Sequence, residues 1–363
     1  MVDHHQRCPV GLFVDADVLA AGGQRERELG TPPRLIDDSA AEGDRVQGAQ
    51  RNIGADAART QRSPPFRIAR PRSHALSELD APISASDANV ALIDLCWMGR
   101  TNCIASWCTG DVLVDCGPAT TVDNLFEALG DREPRALLLT HIHFDHAGAA
   151  GALVERWPDL EVWVHRRGAR HLADPERLEA SARRVFGDTF DERFGSLTPI
   201  PERNLHPLDG DESVYGYDVL YTPGHASHHV AYIDDETGRA FVGDVAASRL
   251  YEGGPLLPAT PPPDIDVDVW LDSLRSVIDR QPRWLGLPHF GAVENAAEHL
   301  DAAMQTVRRH ADLATSVDCD TYVRTVRDEL SATLEPDAVE AYALTMDLPQ
   351  NHAGLRRWAQ QRR

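Results

Sequence analysis

At 363 residues the chain can bury one large core or two modest ones. Its formal net charge of −21 excludes a phosphate backbone as a general partner, because affinity for nucleic acid rests on Lys and Arg. No apolar run is long enough to span a bilayer, and Asp15 and Asp17 break the apolar patch near the N-terminus, so a cytoplasmic protein with no membrane partner is expected.

Residues 1 to about 85 are rich in Arg, Asp, Gly, Ser and Pro without a sustained apolar period, and read as a disordered extension or as sequence following an uncertain start. Residues 86 to 292 have the texture of a folded catalytic domain. "NVALIDLCW", "CIASWC" and "DVLVDCG" are short apolar runs broken by Gly, Asn and Asp, which predicts strands joined by turns. "TTVDNLFEALG" has helical spacing and ends on Gly130. "RALLLTH" predicts a buried strand, "GAAGALVERW" a helix, "EVWVHR" another strand, and 171–195 a charged, largely helical segment. "YDVLYTPGH", "HVAYID" and "RAFVGDV" are strands again. "DVDVWLDSLRSVID" then puts Trp270, Leu271, Leu274, Val277 and Ile278 on one helical face. "RWLGLPHFG" is a short strand and loop, and residues 293 to 363 read as a helical segment packed on the catalytic domain. This order predicts mixed sheets covered by outer helices, an α/β (α+β) architecture. The cysteines fit no zinc-ribbon spacing and are expected to be reduced, with Cys103 and Cys108 serving as core thiols.

The chemistry concentrates in "LLLTHIHFDHAGAAG". His141 and His143 stand two apart at the end of a predicted strand, so both imidazoles can reach one point. Asp145 and His146 follow as the chain turns and can reach a second point nearby. Imidazole suits zinc, iron and several other divalent ions, and carboxylate is tolerated by zinc and preferred by harder ions. A buried, hydrogen-bonded histidine cluster is the structural alternative. Further along, "YTPGHASHHV" places His225, "FVGDV" places Asp244 and "LPHFG" places His289, each at a strand-to-loop junction where a rigid sheet can present function.

The ordered series "HIHFDH", "TPGH", "VGD", "PHF" resembles the metallo-β-lactamase fold superfamily, over residues 88 to about 292. "DVLVDCGP" is similar to the family's early strand ending in Asp-x-Gly. "TPGHASHH" is similar to its TPGHTxGH turn, with His228 where Gly is commoner. The resemblance implies an αββα sandwich and a dinuclear metal site. Carried over, His141, His143 and His225 would hold one ion, Asp145, His146 and His289 the other, and Asp244 would bridge them. Two divalent ions are implied, zinc foremost, with iron or manganese as alternatives. A hydroxide bridging them would cleave a small carbonyl ester, thioester or lactone, with Asp145 also relaying a proton to the leaving group. Asp115 and His229 are candidates to orient the ligands.

Within the family, Asp244 argues against antibiotic hydrolysis as the native task, and the acidic composition argues against an RNA-processing nuclease. A glyoxalase II-like small-molecule hydrolase is the leading reading. A metal-dependent phosphodiesterase and a mononuclear iron enzyme like the persulfide dioxygenases are the alternatives. Homodimers are common in the family. Arg356 or Arg357 could meet an anionic substrate group, although a solvated basic helix end is the favoured explanation. The pocket wall is expected in 171–195 and in "LLPATPPPDID", with Phe186, Phe190, Phe194 and Tyr251 as apolar candidates.

Overall fold

A computed structural model describes residues 14–15 and 90–362; the expected extension over residues 1 to 85 lies outside the described residues apart from Val14–Asp15. The first sheet runs, in spatial and chain order, β1 (Val14–Asp15), β2 (Val90–Asp94), β3 (Ala105–Thr109), β4 (Val112–Val114), β5 (Ala136–Leu138), β6 (Glu161–His165) and β7 (Leu205–Leu208). It is antiparallel as far as β4 and parallel from β4 to β7. The second sheet contains β8 (Ser213–Val214), β9 (Tyr217–Tyr221), β10 (Val230–Asp234), β11 (Arg239–Phe241), β12 (Trp284–Leu287) and β13 (Gly291–Val293), again neighbour by neighbour. Only β11 and β12 are parallel there, and the thirteen-residue helix Val267–Asp279 makes the crossover between them.

Alternation along each strand explains why the sheets stack. Val90 and Leu92 face a core shared with Tyr217, Val219, Val230 and Tyr232 of the other sheet, whereas Ala91 and Ile93 point outward beneath helices. With both faces covered, the strands read as continuous apolar runs rather than as alternating ones. Trp107 pins the sheets together: its indole N–H donates to the Leu287 carbonyl at 3.1 Å, and its ring packs edge-on against Trp284. These are the two middle layers of the expected αββα sandwich.

Outer helices complete it. In chain order these are α1 (Val122–Leu129), α2 (Phe144–Ala147), α3 (Ala150–Arg156), α4 (Arg166–Ala173), α5 (Glu176–Phe186), α6 (Phe190–Arg193) and α7 (Val267–Asp279). The expected face of α7 is the one that packs: Trp270, Leu271, Leu274 and Val277 are buried and Ile278 partly so. Asp266 caps this helix by accepting from the Asp268 and Val269 amides. Four helices end the chain: α8 (Ala296–Ser316), α9 (Cys319–Ser331), α10 (Pro336–Met346) and α11 (Leu348–Gln361). They lock onto the loops after β11. Tyr342 accepts from the Leu250 amide and donates to the Pro255 carbonyl, and Asn351 holds Thr260 and Pro258. Cys103, Cys108, Cys116 and Cys319 are free thiols, the first three buried. No helix among the described residues is long and apolar enough to cross a membrane.

Candidate metal centre

The parallel strand β5 ends at Leu138, and the chain then runs through Thr140 to the short helix α2. His141 and His143 project from the extended part and Asp145 and His146 from α2, so the motif turns a strand end into a four-residue claw. The three other side chains arrive on the second sheet. His225 follows β9, Asp244 follows β11 and His289 follows β12. All seven sequence-predicted residues converge at one edge of the sandwich.

Their contacting atoms form two groups that share Asp244. On one side His143 Nδ1 lies 3.1 Å from His141 Nε2 and 2.9 Å from His225 Nε2, and Asp244 Oδ2 lies 3.4 Å from His225 Nε2. On the other, His289 Nε2 lies 3.3 Å from His146 Nε2 and 3.4 Å from Asp145 Oδ2. Asp244 Oδ1 is 3.4 Å from His146 Nε2 and 3.6 Å from His289 Nε2.

What lies behind the imidazoles fixes which nitrogen carries the proton. His225 Nδ1 donates to the Ala259 carbonyl at 2.8 Å, and His289 Nδ1 to the Cys103 carbonyl at 2.7 Å. His146 Nδ1 donates to Asp115 Oδ2 at 2.9 Å. The Thr140 hydroxyl donates to the same carboxylate, so it accepts from His141 Nδ1 at 3.0 Å. In its neutral form each of these four rings therefore turns an unprotonated Nε2 inward. Asp115 and His229 do sit behind the ligands. Asp115 also accepts from the Thr140 amide, and His229 Nε2 accepts the Asp244 amide while its Nδ1 donates to Thr222.

This donor set fits cations. His141 and His225 turn acceptor nitrogens towards His143 Nδ1 at about 3 Å, and three imidazole nitrogens converging on one point are a donor set that suits a cation. The buried Asp244 Oδ1 has no hydrogen-bond donor, a costly state for a carboxylate oxygen out of water. Burial and the neighbouring imidazoles push His143 down to about 4 and hold His141 well below its usual value, which keeps both available as neutral ligands. Burial works to lower His146 too, but Asp244, Asp145 and Asp115 overcome it and raise that ring well above its ordinary value. A metal cation among those carboxylates supplies the same charge compensation as that proton.

Glycine makes two of the approaches possible. Gly243 has φ +52°, and a Cβ there would lie 2.5 Å from His229 Nε2 and 2.8 Å from the Thr140 Cβ. Gly224 has φ +127°, and a Cβ would meet the Trp270 Cα at 2.3 Å. The "VGD" and "TPGH" turns thus carry glycine because backbone passes close to ligand-orienting groups and to α7.

The centre opens into a cavity of about 890 Å³. His143, Asp145, His225, Asp244 and His228 stand at its floor. Both segments expected to wall it do so, 171–195 through α5 and Phe194 and the Pro-rich loop through Ala259 and Pro261 to Asp264. Phe186 and Phe194 line it, but Phe190 is buried behind, edge-on against Phe144, and Tyr251 packs on Tyr342 away from the cavity. The less favoured alternative for Arg356 and Arg357, contact with substrate, is not met. Arg356 donates to the Thr315 carbonyl at 3.1 Å in a separate depression, and Arg357 does not line the cavity. The cations at the cavity are instead Arg166, Arg167, Arg170, Arg177 and Arg193. "HRRGARHL" carried that signal, an arginine run directly after a sheet strand.

The family model described as "Metallo-beta-lactamase superfamily" matches residues 106–289, half of the chain. The metallo-beta-lactamase fold-containing protein ST1585 of Sulfurisphaera tokodaii is 29% identical over 189 residues, covering 50% of this chain and 69% of that protein. Its crystal structure superposes with a TM-score of 0.51 at 24% identity, over 70% of this chain and 93% of that one. A hydroxyacylglutathione hydrolase of Xanthomonas euvesicatoria is 30% identical over 268 residues, covering 68% of this chain and 88% of its own length. The hydroxyacylglutathione hydrolase of Thermosynechococcus vestitus is 33% identical over 128 residues, but the match spans only 40% of its length.

Proposed function

Because the chain belongs to the metallo-beta-lactamase superfamily, as an enzyme of the metal-dependent hydrolase type, we propose that it is a dinuclear hydrolase of small carbonyl substrates: an ester, thioester or lactone. The observation that carries the reading is the division of seven side chains into two ligand groups that meet on the two oxygens of Asp244. His141, His143 and His225 would hold one ion, and Asp145, His146 and His289 the other. Divalent ions held there, zinc foremost and iron or manganese as alternatives, supply an ionised water at neutral pH and a Lewis acid for the acyl oxygen.

The chain's own residues supply the rest. Asp115, Ala259 and Cys103 fix the orientation of His146, His225 and His289, so the donors do not reorganise during turnover. Among the carboxylates of the two groups, Asp145 is the one open to the cavity: its side chain is 24% exposed against 4% for Asp244. That exposure supports Asp145 as the residue that would pass a proton to a departing thiolate or alkoxide.

The test is a panel of metal-loaded protein and a chelated control on a glutathione thioester, an acyl-homoserine lactone, an aryl ester and bis-nitrophenyl phosphate. Chelator-sensitive turnover of a carbonyl substrate is expected. Turnover of the phosphodiester alone would replace this reading with a phosphodiesterase.

A further inference from the structure

The two metal groups leave one polar side chain at the cavity floor without a role. His228 is only 9% exposed and lines the cavity, yet among the described residues it belongs to none of the sets of donor atoms close enough to share an ion. Its ring lies nearly parallel to that of His141, with centroids 6.2 Å apart, and edge-on to His143 at 5.7 Å. The Ile142 amide donates to its Nδ1 at 3.4 Å. A backbone N–H can only donate, so Nδ1 bears the lone pair and, in the neutral ring, Nε2 bears the proton. That N–H has no acceptor in the protein among the described residues, and it is not sealed from the cavity, so its acceptor has to arrive there.

The turn that carries His228 is held on both sides. Before it, the Tyr221 hydroxyl donates to the Ser227 carbonyl at 2.9 Å and the Ser227 hydroxyl to Asp264 Oδ2 at 2.6 Å. After it, the His229 carbonyl accepts from the Thr222 amide at 3.0 Å, and His229 Nε2 accepts from the Asp244 amide at 3.1 Å. A donor fixed in this way does not reorganise when charge develops in front of it. His171, the other histidine lining the cavity outside the ligand groups, lacks that support: it is less buried, on α4, and accepts at Nε2 from the exposed Arg170 guanidinium. Position indicates which substrate atom His228 would meet. It shares its turn with His225 and packs on His143, whereas Asp145 lies 3.4 Å from His289 and 3.8 Å from His146, across the centre.

Resting on the hydrolase reading above, we propose that His228 is a further catalytic residue, whose Nε2–H donates a hydrogen bond to the acyl oxygen of the substrate as that oxygen becomes negative. As hydroxide adds to the acyl carbon, the π pair of the carbonyl moves onto this oxygen. It returns to the carbon when the bond to the leaving group breaks. The leaving group departs with the proton of the hydroxide, by way of Asp145, so the products are a carboxylate and the protonated leaving group. The His228 proton stays on Nε2 throughout: a neutral imidazole is too weak an acid to surrender it near neutral pH, and serves as an electrophile.

Two variants of the metal-loaded full chain separate the donor from a structural role. His228→Asn keeps an oxygen where Nδ1 meets the Ile142 amide but has no donor at the Nε2 position; His228→Gln carries an amide nitrogen to that position and leaves the Ile142 amide without its acceptor. On the carbonyl substrate that the panel selects, His228→Asn should lower kcat about a hundred-fold with KM within about two-fold, and His228→Gln should recover about ten-fold of that loss. Melting temperature should run the other way, with His228→Gln below His228→Asn, and both should keep the native metal content. Phenyl methylphosphonate, whose anionic oxygens stand for the charged acyl oxygen, should bind His228→Asn about ten-fold or more weakly than the native protein. Activity that follows melting temperature, with His228→Asn active and His228→Gln impaired, would reduce His228 to a support for Ile142 and overturn the proposal. Activity lost only in step with metal would overturn it too. If the native protein turns over no carbonyl substrate, the hydrolase reading falls and the phosphonate alone decides: weaker binding to His228→Asn keeps His228 as a donor to an oxyanion, and equal binding removes it.

Discussion

Asn351, in the last helix, and His225, a ligand-type side chain, grip the same three residues of chain from opposite sides. Asn351 accepts from the Thr260 amide at 2.7 Å and donates to the Pro258 carbonyl at 2.8 Å, while His225 Nδ1 donates to the carbonyl of Ala259 between them. Gly354 adds closeness, since a Cβ there would lie 2.0 Å from the Thr260 carbonyl oxygen. The C-terminal helices therefore reach the centre through the Pro-rich loop rather than through a charged side chain of their own.

Replacing Asn351 with Ala leaves a buried amide and a buried carbonyl without partners, at a cost of about 2–4 kcal/mol. A lowered melting temperature is expected in the metal-free and metal-loaded protein alike, together with weaker metal retention because His225 loses its fixed acceptor. Unfolding curves and chelator competition measure the two effects separately. An unchanged chelator competition would disconnect the helix from the centre.

Asp115 is the next position to test. It accepts from His146, from the Thr140 hydroxyl and from the Thr140 amide while itself touching no cavity. Asp115→Ala should weaken binding at the His146 side about ten- to hundred-fold, seen as one metal lost at a lower chelator concentration than the other. Loss of both metals in step would instead mean that Asp115 supports the fold as a whole.

Acid stability should carry the signature of a histidine far from the centre. His310 is buried between α8 and α9, with Nδ1 2.9 Å from the Tyr322 hydroxyl, and burial, helped by Arg309, pushes it down to about 3. Its folded value is thus below its unfolded value near 6.5, so the unfolded chain binds the extra proton between those limits. Stability is complete above pH 6.5 and falls with acid at about 1.4 kcal/mol per pH unit from this group. In His310→Leu the acid limb of stability against pH should be shallower by about one proton; an unaltered limb would show that His310 takes up its proton in the folded state.

Much of the fold was legible because both sheets are covered on both faces and so leave continuous apolar runs such as "RALLLTH" and "HVAYID". What escaped is at the edges. Leu205–Leu208 contains Pro207, which lacks an amide and is tolerated because, among the described residues, β7 pairs with β6 alone, at the edge of its sheet. Ser213–Val214 and Gly291–Val293 are too short to show a period. The ligand-type residues were legible since each follows a sheet strand closely, Asp145 and His146 on the short helix beyond β5, so that sequence order fixes placement. The cavity cations were not, because α4 and the Pro-rich loop meet only in the folded chain; charge at the C-terminus drew attention to Arg356, whose partner proves to be Thr315.

The measurement that bears most directly on the central claim is metal content with turnover in the native protein and in Asp244→Ala. Two ions per chain are predicted for the native protein, and one or none with turnover lost for the variant. A variant that keeps two ions and full activity would contradict the bridging role of Asp244 and, with it, the dinuclear account.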